Sequence, residues 1–190
     1  MSVCQRITFV FIIILVLAGK LLFAQQSVYL TENGMVSFTS DAPLEIIKAQ
    51  SNTLQGAIDI DNQTFIFVLV NGTFEGFNSP LQQEHFHENY MESNIYQRTT
   101  FTGKIIEPLN LTNGKEQIVR AKGILDLHGV KQERIIKAHI VLIGNVLTIN
   151  SIFTVMMDDH HIRIPKVVSK KVAPEIEVKI NATFIKSVAK

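Results

Sequence analysis

The segment HFHENYMES, residues 85–93, places two histidines two residues apart among acidic and aromatic side chains. Imidazole and carboxylate groups together can hold a metal ion or move protons. A second segment, Asp158-Asp159-His160-His161, brings the same residue types together further along the chain. Either chemistry requires these side chains to converge on one point, so the secondary structure of each segment decides the matter.

Helix geometry argues against a metal site at His85 and His87. Ser79-Pro80 is a typical helix start, and the thirteen residues that follow contain no β-branched side chain. These signals predict one helix over residues 80–93. Residues two apart on a helix point roughly 200° apart, so the two imidazoles cannot hold one ion together. Adjacent histidines 160 and 161 would face opposite ways in a strand.

Other catalytic signatures are missing from the sequence. It has no GxSxG, no HExxH and no glycine-rich phosphate loop. We therefore predict no catalytic residue, no metal ligand, no cofactor and no enzymatic activity. A metal-dependent enzyme, built from one histidine of each pair, is the least favoured alternative. The net charge of +1 and the lack of a basic run also argue against a nucleic-acid partner.

The N-terminal residues have the features of a secretory leader. Arg6 precedes the apolar run FVFIIILVLAG (9–19), and the small residue Ala24 follows. We predict a signal peptide over residues 1–24, an exported domain over 25–190, and a periplasmic or secreted location without a stable membrane span after cleavage. An uncleaved anchor is the alternative, although the run is short for a bilayer. The only cysteine is Cys4, so the domain must fold without disulfides.

The rest of the chain is rich in strand patterns. In EIEVKINATF (175–184), apolar side chains alternate with polar ones, which predicts a half-buried strand. Segments 64–70 and 135–144 are more uniformly apolar, so they are either covered on both faces or have another period. Turns between strands are predicted at Glu32-Asn33-Gly34, Asp61-Asn62, Asn71-Gly72, Asn113-Gly114 and Gly144-Asn145. The pattern favours an antiparallel barrel or sandwich.

Three blocks of sequence resemble the YceI-like proteins. They are SPLQQEHFHENYMESNIYQRTTFTGKI (79–105), KGILDLHGVKQERIIKAHIVL (122–142) and SIFTVMMDDHHIRIPKVVSKKVAPEIEVKI (151–180). Gly123, Leu125, His128, Gly129 and Val130 carry the most specific part of the likeness. The chain departs from the family at Tyr96-Gln97, where proline usually follows the tyrosine. It departs again within 158–162, where two histidines replace a common aromatic residue.

The resemblance implies an all-β fold: an exported, lipocalin-like antiparallel β-barrel of about eight strands, with one short helix inserted near 80–93. It also implies that the barrel holds an amphiphilic lipid, such as an isoprenoid quinone or a polyprenyl lipid, in its apolar interior, and it allows a homodimer. An eight-stranded barrel is wide enough for one slim ligand. The alternative is a packed barrel, an envelope or stress-related protein that acts through its surface without a ligand, because protein interiors are usually filled.

The predicted ligand-binding residues are apolar or aromatic side chains of the inward faces and the helix. On the strands they are Phe65, Phe67, Leu69, Phe101, Ile105, Leu125, Leu127, Phe153 and Phe184. On the helix they are Phe86 and Tyr90, which together with Met91 are expected to close one end of the barrel.

Overall fold

Eight long antiparallel strands make up most of the molecule, and each pairs with its neighbours in sequence. The computed structural model describes residues 27–187, and in it β8 pairs with β1, so that the sheet closes into a barrel. The strands are β1 (Val28–Ala42), β2 (Glu45–Asp59), β3 (Thr64–Val70), β4 (Arg98–Ile105), β5 (Glu116–Leu127), β6 (Val130–Ile143), β7 (Val146–Met156) and β8 (Glu175–Lys186). The predicted eight-stranded antiparallel barrel is confirmed. The predicted leader, residues 1–24, lies outside the described residues.

One helical segment interrupts the strands, as the Ser79-Pro80 pair predicts. The helix α1 (Pro80–His85) starts where the Ser79 hydroxyl accepts a hydrogen bond from the Gln82 backbone N–H at 3.2 Å. It continues without a break as one π-helical turn (Phe86–Tyr90). The helix therefore ends at Tyr90 rather than at residue 93, because the left-handed backbone of Glu92, with φ of 43°, cannot continue it. Within residues 27–187, three short 3₁₀ helices cover Asn71–Thr73, Asp158–His160 and Lys166–Val168.

The turn signals locate some connections and miss others. Asp61-Asn62 and Gly144-Asn145 lie between paired strands, and Asn113-Gly114 lies in the β4–β5 connection. The turn predicted at Glu32-Asn33-Gly34 is wrong, because β1 runs through it. The pairing with β2 shifts register on both sides of Gly34, so these residues form a bulge that bends the strand.

Asn71-Gly72 also differs from a hairpin turn. It starts a long excursion, residues 71–97, that contains α1 and returns to β4. The tight β5–β6 hairpin is instead made by His128-Gly129, whose φ angles of 54° and 71° suit a two-residue hairpin. Tyr96 packs on this turn, and a Cβ at Gly129 would lie 2.5 Å from its ring, so only glycine fits there.

The interior of the barrel is filled with packed side chains at the end where both described termini lie. We call this the closed half. Its largest fully buried side chain, Phe184, has 0% exposure, and the ring centroid of Phe67 lies 5.8 Å from it. Its buried core comprises Tyr29, Ile58, Phe65, Val119, Ile140, Leu147, Ala182 and Phe184. The more uniformly apolar strands 64–70 and 135–144 still alternate, because isoleucines such as Ile66 and Ile135 face outward and are exposed.

Candidate functional site: an apolar cavity in the open half

The other end of the barrel, the open half, is hollow. Its cavity has a volume of about 240 Å³. This volume lies just below the range of roughly 300–1000 Å³ usual for small-molecule sites. All eight strands contribute to its wall. The wall includes Val36, Phe38, Leu54, Phe67, Leu69, Phe101, Leu125, Leu127, Ile136, Ile149, Phe153, Val155, Ile176, Val178 and Ile180.

Four phenylalanines form an aromatic cluster beside the cavity. Phe38 lies on β1, Phe74 and Phe77 precede α1, and Phe86 begins the π-helical turn. Phe86 stacks on Phe38 with centroids 5.3 Å apart, and it contacts Phe74 at 5.4 Å and Phe77 at 5.0 Å. Because Phe86 touches all three other rings, it fastens the helical segment to the barrel wall. All four rings line the cavity.

The ends of the 71–97 excursion are tied together by Asn71. This side chain is fully buried, its Nδ2 donates to the Tyr96 carbonyl at 2.6 Å, and its Oδ1 accepts from Thr99 Oγ1 at 2.8 Å. Its backbone N–H donates to the Gln97 carbonyl at 2.9 Å. The asparagine thus joins the end of β3 to the start of β4, and the excursion leaves and re-enters the barrel at one place.

The cavity wall offers hydrocarbon and very few free polar groups. No Asp, Glu, Lys, Arg or His is among the described residues that line it. Its serines already have hydrogen-bond partners within the protein. Ser151 Oγ donates to the Lys137 carbonyl at 2.6 Å, and Ser40 Oγ accepts from the Ala173 N–H at 2.9 Å. Gln82 is used as well, since its Nε2 donates to Glu45 at 2.9 Å.

Among the described wall residues Tyr90 is the one titratable side chain, and burial raises the pKa of its phenol. The phenol therefore stays neutral at ordinary pH. Because none of the described wall residues is charged, the cavity suits an apolar molecule.

The structure brings eight of the eleven predicted ligand-binding residues to the cavity. They are Phe67, Leu69, Phe86, Tyr90, Phe101, Leu125, Leu127 and Phe153. Phe65, Ile105 and Phe184 face the barrel interior but lie in or against the core of the closed half, so they do not line the cavity. Phe65, for example, packs on Phe101 with centroids 4.9 Å apart. Met91, expected beside them on the helix, also lines the cavity. Contact of any of these residues with a ligand stays a prediction.

Sequence reasoning missed several wall residues outside the clear strand patterns. Phe38 lies on β1, beyond the bulge that the sequence predicts as a turn, and Phe74 and Phe77 lie in the irregular stretch before α1. Ile162 and Val172 come from the β7–β8 connection, residues 157–174. The alternation of Val36 with Phe38 was the available signal on β1; the loop residues had none, because their positions depend on tertiary packing.

The four candidate histidines lie in different environments. His85 is exposed, whereas the His87 ring lies against Phe86 with centroids 5.2 Å apart. His160 is fully buried, and its Nδ1 hydrogen-bonds the Leu127 carbonyl at 3.2 Å. His161 is exposed and ends the short 3₁₀ helix in a left-handed conformation. Among residues 27–187, no three His, Cys, Asp or Glu side chains are grouped so that they could hold a metal ion.

His160 supports the connections at the open end. Burial lowers the pKa of its imidazole, although carbonyl groups of Leu127 and Val130 oppose the shift. Its own carbonyl lies 3.1 Å from His128 Nδ1, and His128 Nε2 lies 2.9 Å from Glu92 Oε2. These contacts join the β5–β6 hairpin to the β7–β8 connection and to the end of the helical segment. His128 and His160 therefore hold these connections together.

The strand order and the cavity define a closed antiparallel barrel with an apolar interior site. A family model described as the YceI-like domain matches residues 26–184, and the chain belongs to that family. No curated protein sequence matches the chain. Within the described residues, no helix is long and apolar enough to cross a membrane.

Solved structures share the fold at low sequence identity. One is "a polyisoprenoid binding domain from Saccharophagus degradans", with a TM-score of 0.71 and 14% identity, covering 85% of this chain and 99% of that chain. BcnA of Burkholderia cenocepacia has a TM-score of 0.66 and 13% identity, covering 80% and 95%. A YceI protein of Campylobacter jejuni has a TM-score of 0.59 and 11% identity, covering 74% and 85%.

Proposed function

We propose that this protein binds one isoprenoid lipid, or a similar amphiphile, with its apolar chain in the open half of the barrel. The observation that carries the proposal is the cavity wall, which is formed mainly by aliphatic and aromatic side chains and includes no charged residue among those that the structure describes. Moving hydrocarbon from water into such a site is favourable by about 25 cal/mol per Å². A wall of this kind selects a chain by its apolar character and width.

The polar head of the ligand is proposed to stay at the mouth. The wall's buried hydroxyl and amide groups already have partners within the protein, such as Asn71 with Thr99 and Ser151 with Lys137. A head group drawn inside would lose its contacts with water and gain few in return. The structural neighbour from Saccharophagus degradans, whose name describes polyisoprenoid binding, supports this class of ligand.

A packed barrel that acts through its surface remains the second candidate, and the closed half favours it. There Phe184 and Leu147 are almost completely buried and leave no room for a ligand. The cavity in the other half is the reason to prefer lipid binding, since a purely structural barrel gains stability by filling such space.

We also propose that the protein is exported and acts outside the cytoplasm. The basic and apolar pattern of residues 1–24 supports this location. Cell fractionation, with the mass of the purified protein fixing its N-terminus, tests it. A chain that retains Met1 in the cytoplasmic fraction would contradict the proposal.

The test of lipid binding is mass spectrometry of an organic extract from protein purified out of its own host without detergent. We expect one stoichiometric isoprenoid species. Leu125→Glu places a carboxylate in the cavity wall, whereas Ile124→Glu places the same group on the outer face of the same strand. The first variant should lose the lipid because burying an unpaired charge beside hydrocarbon costs several kcal/mol, and the second should keep it.

The folded state of both variants is checked by circular dichroism before extraction. An empty extract from folded wild-type protein would reject lipid binding and favour the surface-acting barrel. Equal lipid in both variants would leave the protein a carrier but refute the assigned wall.

A further inference from the structure

The open end of the barrel carries large apolar side chains that no other part of the described chain covers. Leu44 at the tip of the β1–β2 hairpin is 67% exposed, and Val167 in the 3₁₀ helix Lys166–Val168 is 89% exposed. Ile46 on β2 and Leu81 on α1 are also exposed. We call Leu44, Ile46, Leu81 and Val167 the apolar rim. Side chains of this size are unfavourable in water, so four on one edge suggest an apolar partner.

Hydrogen bonds join the three segments that carry the apolar rim. The Leu44 N–H donates to the Lys170 carbonyl at 2.9 Å, which joins the hairpin tip to the loop that carries Val167. On the other side, Asn78 Nδ2 donates to the Ile46 carbonyl at 2.9 Å, next to the start of α1. The hairpin tip is thus flanked by the two connections, one on each side.

The rim borders the mouth of the cavity. Gln82, one residue after Leu81, lines the cavity and bonds Glu45 in the hairpin. Val172, in the same β7–β8 connection as Val167, lines the cavity as well. A ligand that enters or leaves the open half therefore passes close to these exposed side chains.

Positive charge accompanies the rim on one side. From His161 to Ala173 the chain has four cationic side chains, Arg163, Lys166, Lys170 and Lys171, and no carboxylate. None of the four forms a salt bridge among the described residues. The hairpin contributes two acids, Asp41 and Glu45, and the helical segment adds Glu84 and Glu88, so the excess of positive charge is local to residues 163–171, on the Val167 side of the rim.

We propose that the open end docks on an anionic lipid bilayer, with the apolar rim in the interface and Lys166, Lys170 and Lys171 at the lipid phosphates. The inference rests on the proposed function and names the partner of the same site. An isoprenoid chain that left the cavity into water would expose all of its hydrocarbon. Docking lets the chain pass from bilayer to barrel without that exposure, and exposed apolar residues beside lysines are the combination that binds such interfaces.

Vesicle flotation tests the docking. The chain from Gln25 onward contains all eight strands, and its folding is verified by circular dichroism. Vesicles of equal parts phosphatidylcholine and phosphatidylglycerol are compared with vesicles of phosphatidylcholine alone. We expect binding to the anionic vesicles that weakens with added salt, because salt screens exposed charges.

Two pairs of matched variants locate the contact. Leu44→Asp with Val167→Asp should lower vesicle binding by at least tenfold, since each apolar side chain leaves the interface. The control, Ile143→Asp with Ile185→Asp, changes isoleucines that are 63% and 62% exposed at the closed end and should bind like wild type. Replacing Lys166, Lys170 and Lys171 by Ala should cost roughly fivefold per lysine. Replacing Lys104, Lys122 and Lys179, which lie on β4, β5 and β8, makes the same change in net charge and should cost much less.

The outcomes separate this inference from the proposed function. Lipid content is measured on the same preparations by extraction, without vesicles. Retained lipid with equal vesicle binding in rim and closed-end variants, or a larger loss in the closed-end variant, overturns the docking and leaves lipid binding intact. Loss of vesicle binding confined to the rim and lysine variants supports the docking, even if the extracts are empty and the proposed ligand is wrong.

Discussion

The unequal filling of the barrel predicts that removing a phenylalanine ring will have different costs in its two halves. Phe184 lies in the closed half with no exposed surface, packed edge-on to Phe67. Phe153 lies on β7 with its ring at the wall of the open cavity. Truncating the first ring creates a new void, while truncating the second enlarges a space that already exists.

The expected magnitudes follow from that difference. Phe184→Ala should reduce the free energy of unfolding by about 3–5 kcal/mol, the usual cost for a fully packed phenylalanine. Phe153→Ala loses a half-buried ring that lacks neighbours on the cavity side, so about 1–2 kcal/mol is expected. For a chain of this size each kcal/mol lowers Tm by about 2–4 °C. The Tm shifts are then about 6–20 °C for Phe184→Ala and about 2–8 °C for Phe153→Ala.

The assay is urea unfolding of delipidated protein. Unfolding is monitored by far-UV circular dichroism, because the chain contains no Trp whose fluorescence could report it. Delipidation matters because a bound ligand at a hundred times its Kd adds about 2.7 kcal/mol to the apparent stability. After lipid is restored, wild type should gain more stability than Phe153→Ala. Equal losses for the two variants in the delipidated state would refute the division into a closed and an open half.

Three further predictions concern the framework. Gly123→Ala should destabilise the protein by about 1–3 kcal/mol in chemical denaturation, since its Cβ would strike the Thr102 carbonyl of β4, whereas Gly72→Ala, with open space around it, should have little effect. Asn71→Ala should lower the free energy of unfolding by about 1–3 kcal/mol, because it leaves buried groups unpaired. Amide hydrogen exchange should become faster selectively in residues 71–97. Equally faster exchange throughout the protein would contradict the role of Asn71 in joining the ends of that excursion. Because burial lowers the pKa of His160, the unfolded chain binds the proton more readily than the folded one. Stability should therefore fall as pH drops below about 6.5, by up to 1.36 kcal/mol per pH unit, and His160→Gln should flatten the slope measured by urea melts.

Local sequence signals specify much of this fold. Strict alternation in 175–184 identifies β8, and the Ser79-Pro80 pair locates the start of α1 to the residue. Both signals work because they depend on the chain's own geometry. The bulge at Gly34 could not be separated from a hairpin turn, since asparagine and glycine favour both, and only pairing with β2 and β8 decides between them.

The cavity was less accessible to prediction than the fold. Alternation groups the side chains that share a face of a strand, but segment 64–70 is too uniformly apolar for the pattern to fix which face points inward. Alternation also does not reveal depth along the barrel axis, so Phe65 and Phe184 were grouped with Phe153 although they pack in the closed half. Depth depends on strand register and on which end the connections occupy, and both are properties of the closed sheet.

The two halves differ because of where the aromatic rings and the long connections fall. Phe65, Phe67, Phe101 and Phe184 meet across β3, β4 and β8 and form a floor that closes the interior. At the opposite end, most of the aromatic cluster around Phe86 belongs to the 71–97 connection and packs against Phe38 of β1, on one side of the barrel. The interior space next to this cluster therefore stays unfilled. Phe67 and Phe101 belong both to the floor and to the cavity wall. A ligand chain that enters from the mouth would therefore end on these two rings, and the floor sets the greatest depth that it can reach.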